Sequence, residues 1–126
     1  MSKISINAEH APAAVGPYSH AAKPVGNTVF LSGQVGLIPG TKNLAEGLEP
    51  QVRQAFANML TVVAAAGGTP ADIVKLTLFV TDMADFPVVN TVMAEVIPQP
   101  YPARSTLGVA SLPLGARFEV EAIVAI

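Results

Sequence analysis

The chain has 126 residues and no cysteine. That excludes a disulfide framework, a thiolate zinc site, an iron–sulfur cluster and a cysteine nucleophile. Charge is scarce as well: Asp, Glu, Lys and Arg make up 13% of the residues, about half the usual share. The basic residues Lys3, Lys23, Lys42, Arg53, Lys75, Arg104 and Arg117 are scattered along the chain, and the net charge is −2. They form no stripe that would neutralise a row of phosphates, which argues against a primary role on nucleic acid. The longest apolar run, around Met59 to Ala66, falls far short of the roughly 18 residues a membrane span needs. The N-terminal segment carries no apolar core of a secretory signal. A soluble, cytoplasmic protein with no membrane role is expected.

Metal and cofactor signatures are missing too. His10 and His20, even with Glu9, lack ligand spacing. Gly33, Gly36 and Gly40 are not followed by the Gly-Lys-Ser/Thr of a phosphate loop. There is neither a Gly-x-Ser-x-Gly elbow nor a dinucleotide fingerprint. If the chain is an enzyme, cofactor-free chemistry on a small molecule is what remains.

What the chain does have is apolar surface, since 51% of its residues are hydrophobic. A small domain has much surface per unit volume and little charge here to cover it. Burial against another copy resolves that mismatch, so a homo-oligomer is expected; a monomer with an apolar surface is the plain alternative, since folded surfaces are about half apolar anyway. No linker, repeat or low-complexity segment divides residues 1–126, which read as a single domain.

Hydrophobic periodicity sets out the elements. Ile4 and Ile6 alternate with polar residues as a short strand. Residues 8–18, with Pro12, Gly16 and Pro17, read as an ordered loop. Ser19–Val25 and Thr28–Gln34 flank Gly26-Asn27 and predict a hairpin. Leu48, Val52, Ala55, Phe56, Met59, Leu60 and Val63 follow helical spacing, ended by Gly67-Gly68. Ile73–Thr81 reads as a strand with Val74, Leu76, Leu78 and Val80 on one side. Asp82 caps a second helix, Ala84 to about Ile97, with Phe86, Val89, Met93, Val96 and Ile97 on its apolar face. Arg104–Ser111 and Arg117–Ile126 are the last two strands. The order β-β-β-α-β-α-β-β predicts an α+β sandwich, both helices on one face of a mixed sheet. No third helix is left for the other face, and a partner subunit is its natural cover.

Few residues offer chemistry. Arg104 opens a strand of small neutral residues, and its planar guanidinium fork matches a carboxylate; a local salt bridge is the plain alternative. In the last strand, period two puts Arg117, Glu119 and Glu121 on one face. Acids alternating with apolar residues usually mark a solvent face; the functional alternative is a glutamate at the edge of a dry pocket, which would orient water or act as a base. Tyr18 is presented by the rigid Gly16-Pro17 turn; a packing role is read first, with closing a pocket and donating a hydrogen bond as the functional alternative. Ser32-Gly33-Gln34 ends a strand, where the glycine lets backbone N–H groups approach a ligand or simply marks a bulge. Asn90 interrupts the apolar stripe of the second helix and is read first as a cap or buried hydrogen bond.

Taken together, Gly16-Pro17-Tyr18-Ser19-His20-Ala21, Leu31-Ser32-Gly33-Gln34, the Lys75–Asp82 strand, Asp85-Phe86 with Val89-Asn90, Tyr101-Pro102-Ala103-Arg104-Ser105 and Glu119-Val120-Glu121-Ala122 resemble, in order and over essentially the whole chain, the RidA (YjgF) family of reactive-intermediate deaminases. The resemblance implies a chorismate-mutase-like fold and a homotrimer with active sites between subunits. It implies hydrolysis of 2-imino acids, such as 2-iminopropanoate and 2-iminobutanoate, or their enamine tautomers, to 2-oxo acids and ammonia. On that pattern Arg104 holds the substrate carboxylate, Glu119 positions the water and Tyr18 closes the pocket. Ser32, Gly33, Thr106 and, more weakly, Asn90 complete the binding site. Thr106 stands where deaminating members usually carry cysteine. Two other readings are a non-catalytic 2-oxo-acid binding protein and a holdase-like interaction protein.

Overall fold

The computed structural model describes residues 2–126. Among these the order is β1 (Lys3–Ile6), β2 (Ala21–Pro24), β3 (Thr28–Phe30), β4 (Gln34–Val35), α1 (Leu48–Ala65), β5 (Ile73–Val80), α2 (Phe86–Val96), β6 (Ala103–Gly108) and β7 (Phe118–Ala125). The expected α+β architecture with two helices and a mixed sheet is present.

Alternation along β5 and β7 builds the sheet. Leu76, Leu78 and Val80 of β5 and Phe118, Val120, Ala122 and Val124 of β7 are buried on one face. β7 runs antiparallel to β5, with Leu78 opposite Val120. β6 joins the far side of β5 in parallel, with Leu76 opposite Arg104 and Leu78 opposite Thr106. β3 and β4 both pair with β7, so β6 is an edge strand. The apolar stripe of α1 (Val52, Ala55, Phe56, Met59 and Val63) packs with Val89, Val92 and Met93 of α2 over the buried face as one core. Phe56 meets Phe118 at 5.5 Å between ring centroids. Helix α1 ends at Gly67, where φ of +90° suits glycine and the Gly68 N–H closes back on the Val63 carbonyl at 3.0 Å.

Four local expectations are corrected. Gly26-Asn27 does not join a hairpin. β2 pairs with β1 and β3 with β7, because the flanking backbone groups find other partners. Val25 N–H donates to the Ser2 carbonyl, while Asn27 exchanges both hydrogen bonds with Ile126. The chain thus crosses here from a two-stranded ribbon to the main sheet. Second, the expected Thr28–Gln34 strand is two short strands, broken at Leu31–Gly33, which gives four strands before α1 in place of three. Third, a 3-10 turn over Met83–Asp85 precedes α2, and Asp82 caps that turn through the Ala84 N–H at 2.9 Å. Fourth, β6 stops at Gly108, short of the expected Ser111.

Candidate functional site

Serine hydroxyls fix the 8–18 loop onto the body. The Ser19 hydroxyl donates to the Tyr101 carbonyl at 2.5 Å and lies 2.5 Å from the Ser5 hydroxyl. The Ser19 N–H donates to the Pro102 carbonyl at 3.0 Å. His20 accepts from the Ala8 N–H at Nδ1 and reaches the Pro12 carbonyl through Nε2. Its ring therefore serves the loop, and no group of three or more His, Cys, Asp or Glu among the described residues is placed to hold a metal. The loop so tied brings Tyr18 to the mouth of β6, two residues past the anchor at Pro102.

There Tyr18 meets Arg104. The guanidinium carbon lies 4.9 Å from the Tyr18 ring centroid and 5.0 Å from that of Phe86. Nη1 donates to Asn90 Oδ1 at 2.6 Å, with Met93 Sδ at 3.6 Å. Burial lowers the pKa of this arginine, and the nearby Tyr18 partly offsets that. Among the described residues no carboxylate lies within ion-pair reach of it. A half-buried guanidinium held by neutral groups is a cation set up for an anion from outside, since taking a charge out of water costs free energy unless it is paired. The local salt bridge considered from the sequence is thus absent, and Asn90 proves to be the hydrogen-bond acceptor that orients Arg104.

Glu119 lies elsewhere. It pairs with Phe79 across β5 and with Val35 across β4. Its carboxylate leans over Gly33, where a Cβ would stand 2.6 Å from Oε2. A side chain at position 33 would have to push that carboxylate aside. Burial, and then the neighbouring Glu121, push the Glu119 carboxyl above the usual range. Both effects favour the proton on the acid, as a group near its working pKa requires. The start of β7 is held by Arg117, whose N–H donates to Gln51 Oε1 and whose Nη2 reaches both oxygens of the buried Asp85 at 3.0 and 3.1 Å.

Strand parity decides how these parts relate. Arg104 pairs with Leu76, so it and Thr106 lie on the helix-covered side of the sheet. Glu119 pairs with Phe79, so it, Glu121 and Lys75 lie on the bare side. The expected site residues therefore fall into two clusters within one chain. One cluster joins Arg104, Tyr18 and Asn90, with Thr106 two residues along the same strand. The other joins Glu119 and Gly33, with Ser32 exposed beside it. Sequence reasoning assigned Phe86 to the core stripe of α2 and missed its contact with Arg104. Its place one helical turn before Asn90 was the available signal.

The family model described as endoribonuclease L-PSP matches residues 8–126. A protein of Dermatophagoides farinae named 2-iminobutanoate/2-iminopropanoate deaminase is 48% identical over 98% of this chain and 97% of its own length. The crystal structure of RidA from a Psychrobacter species matches with a TM-score of 0.78 at 46% identity, covering 98% of this chain and 99% of that one. The Rid-family protein YyfB from Yersinia pestis, titled as being of unknown function, matches with a TM-score of 0.89 at 30% identity, each chain covered in full.

Proposed function

The chain belongs to the RidA/YjgF family, and from that premise we propose that it hydrolyses 2-imino acids of the 2-iminopropanoate and 2-iminobutanoate class to 2-oxo acids and ammonia. The observation that carries this reading is Arg104, a half-buried cation with no acidic partner, oriented by Asn90 and Tyr18. It offers a small carboxylic acid a charge-assisted hydrogen-bonding edge.

The opposite faces of Arg104 and Glu119 support an inter-subunit site. A site that uses both cannot close within one chain, so it forms where the Arg104 cluster of one subunit meets Glu119 of an adjacent subunit. A homotrimer, in which bare sheet faces cover one another, provides this contact and covers the exposed Phe30. In such a site the imine carboxylate rests on Arg104 with its carbon toward the Glu119 water. Glu119 takes a proton as water adds to the C=N carbon. That proton goes to nitrogen, and the carbinolamine collapses to the 2-oxo acid and ammonia. Ser32, Gly33 and Thr106 line the cleft beside the substrate. An iminium is already a strong electrophile, so positioning and one proton carrier are enough.

The family description also names an endoribonuclease, but the cations here are ill suited to an RNA backbone. Arg53 is spent on Glu49 and Glu95, Arg117 on Asp85, and the Lys3 ammonium on the Ala71 carbonyl.

The test is imine hydrolysis, with the imine generated by an amino-acid oxidase plus catalase and the survivors trapped by semicarbazide. Wild type at catalytic concentration is expected to suppress the semicarbazone. Arg104→Lys keeps the charge but loses the planar fork, and should lower kcat/KM by about 100-fold. An unchanged trap signal with wild type, alongside saturable binding of 2-oxobutanoate, would instead establish a binding protein.

A further inference from the structure

Arg104 is gripped from more sides than carboxylate binding alone requires. Its Nη1 is consumed by Asn90 Oδ1 at 2.6 Å. Its carbon stands over two rings, Tyr18 and Phe86, at 4.9 and 5.0 Å. Its Nη2 passes so close to Gly16 that a Cβ there would stand 3.0 Å away, with Asn90 Oδ1 and the Tyr18 ring at 3.6 and 3.7 Å. Gly16 does not have a positive φ, so its backbone imposes no need for glycine. The space beside the guanidinium does. Phe86 begins α2 directly after Asp85, which is tied to Arg117 just before β7, so its ring stands on a fixed support.

We infer that Phe86 and Gly16 are positioning residues for the anion anchor, fixing the plane of the Arg104 guanidinium so that its Nε–Nη2 edge, and not Nη1, receives the substrate carboxylate. The assignment rests on the deaminase reading for the identity of the carboxylate, but its geometry does not depend on turnover. Phe86 supplies a π face that holds the cation without neutralising it. A leucine there fills similar space and leaves the guanidinium free to turn. Gly16 gives Nη2 room, and a methyl at that position pushes the edge out of line.

Phe86→Leu, Gly16→Ala and Phe86→Tyr would be compared with wild type by calorimetry with 2-oxobutanoate, by steady-state imine hydrolysis and by thermal melting. Phe86→Leu and Gly16→Ala are each expected to weaken 2-oxobutanoate by about tenfold. KM should rise in parallel while kcat changes much less. Phe86→Tyr retains the ring and should restore binding. If Phe86→Leu lowers the melting temperature but binds like wild type, Phe86 is a core residue only. Gly16→Ala leaves the core untouched and tests the same claim independently; unchanged binding there overturns it. A wild type that binds 2-oxobutanoate but hydrolyses no imine refutes the deaminase reading while the binding ratios still decide this one. A wild type that binds no carboxylate overturns both.

Discussion

The two faces of the main sheet are made from the same strands, residue by residue in alternation, yet they do different work. On the covered face Leu76, Leu78, Val80, Phe118 and Val120 are sealed beneath α1 and α2. On the bare face Lys75, Thr77 and Phe79 of β5 stand opposite Ile123, Glu121 and Glu119 of β7, and Phe30 of β3 is 76% exposed. The covered face is apolar, and its free energy is realised within one chain. The bare face mixes apolar rings with acids, too polar for a core and too apolar for a free surface. Such a face gains by meeting another copy, where apolar area leaves water; in the proposed site Glu119 is then brought to the Arg104 cluster of that copy.

The sharpest way to break this comparison is to charge the bare face at its most exposed ring. Phe30→Asp should leave the fold intact, since the side chain contributes nothing to the core. Wild type is expected to sediment as a trimer and the variant as a monomer. If the proposed two-chain site holds, imine hydrolysis should fall with the trimer, by about 100-fold or more. A variant that remains trimeric and active would show that copies meet elsewhere.

The covered face is broken by a cavity. Leu78→Ala removes a fully buried side chain at the centre of β5 and should cost about 2–5 kcal/mol in urea unfolding. Loss of activity should follow loss of fold, not of assembly. A loss well below that range would mean that α2 collapses into the gap.

Much of this division was readable in the sequence. Period two along Ile73–Val80 and Phe118–Ala125 separates the two faces; Arg104 stands out as a charge among small neutral residues and Glu119 as one alternating with apolar residues. The lack of a third helix leaves the second face uncovered. What could not be read was non-local. Arg104 and Glu119 each have a parity within their own strand. Their relative parity depends on the register in which β6 and β7 each pair with β5, which no local pattern encodes. The Gly26-Asn27 link carries a valid hairpin signal that is overruled by Ser2 and Ile126, residues distant in sequence that take the backbone groups first. Phe86 fits a core stripe by spacing, and only the folded chain reveals that Arg104 lies over its ring.

The smallest effect discriminates most finely between structure and chemistry on the bare face. Burial and Glu121 raise the Glu119 pKa in the folded chain. The folded state therefore holds a proton that the unfolded state has released, between the ordinary glutamate range and the raised folded value. Stability from this group is present at pH below that window and is lost as pH rises through it. Catalysis by the proposed route runs the other way, because the Glu119 carboxylate it needs as proton acceptor appears only above the raised value. Wild type should thus trade a little stability for activity over the same interval. Glu119→Gln should abolish both slopes at once. It should lower kcat by about 100-fold, the scale of a lost proton carrier, while 2-oxobutanoate binding at Arg104 holds. Melting temperatures and kcat measured across that interval for both proteins read the trade directly. If the glutamine variant loses binding as much as turnover, Glu119 shapes the cleft, and the proton carrier must be sought at another residue.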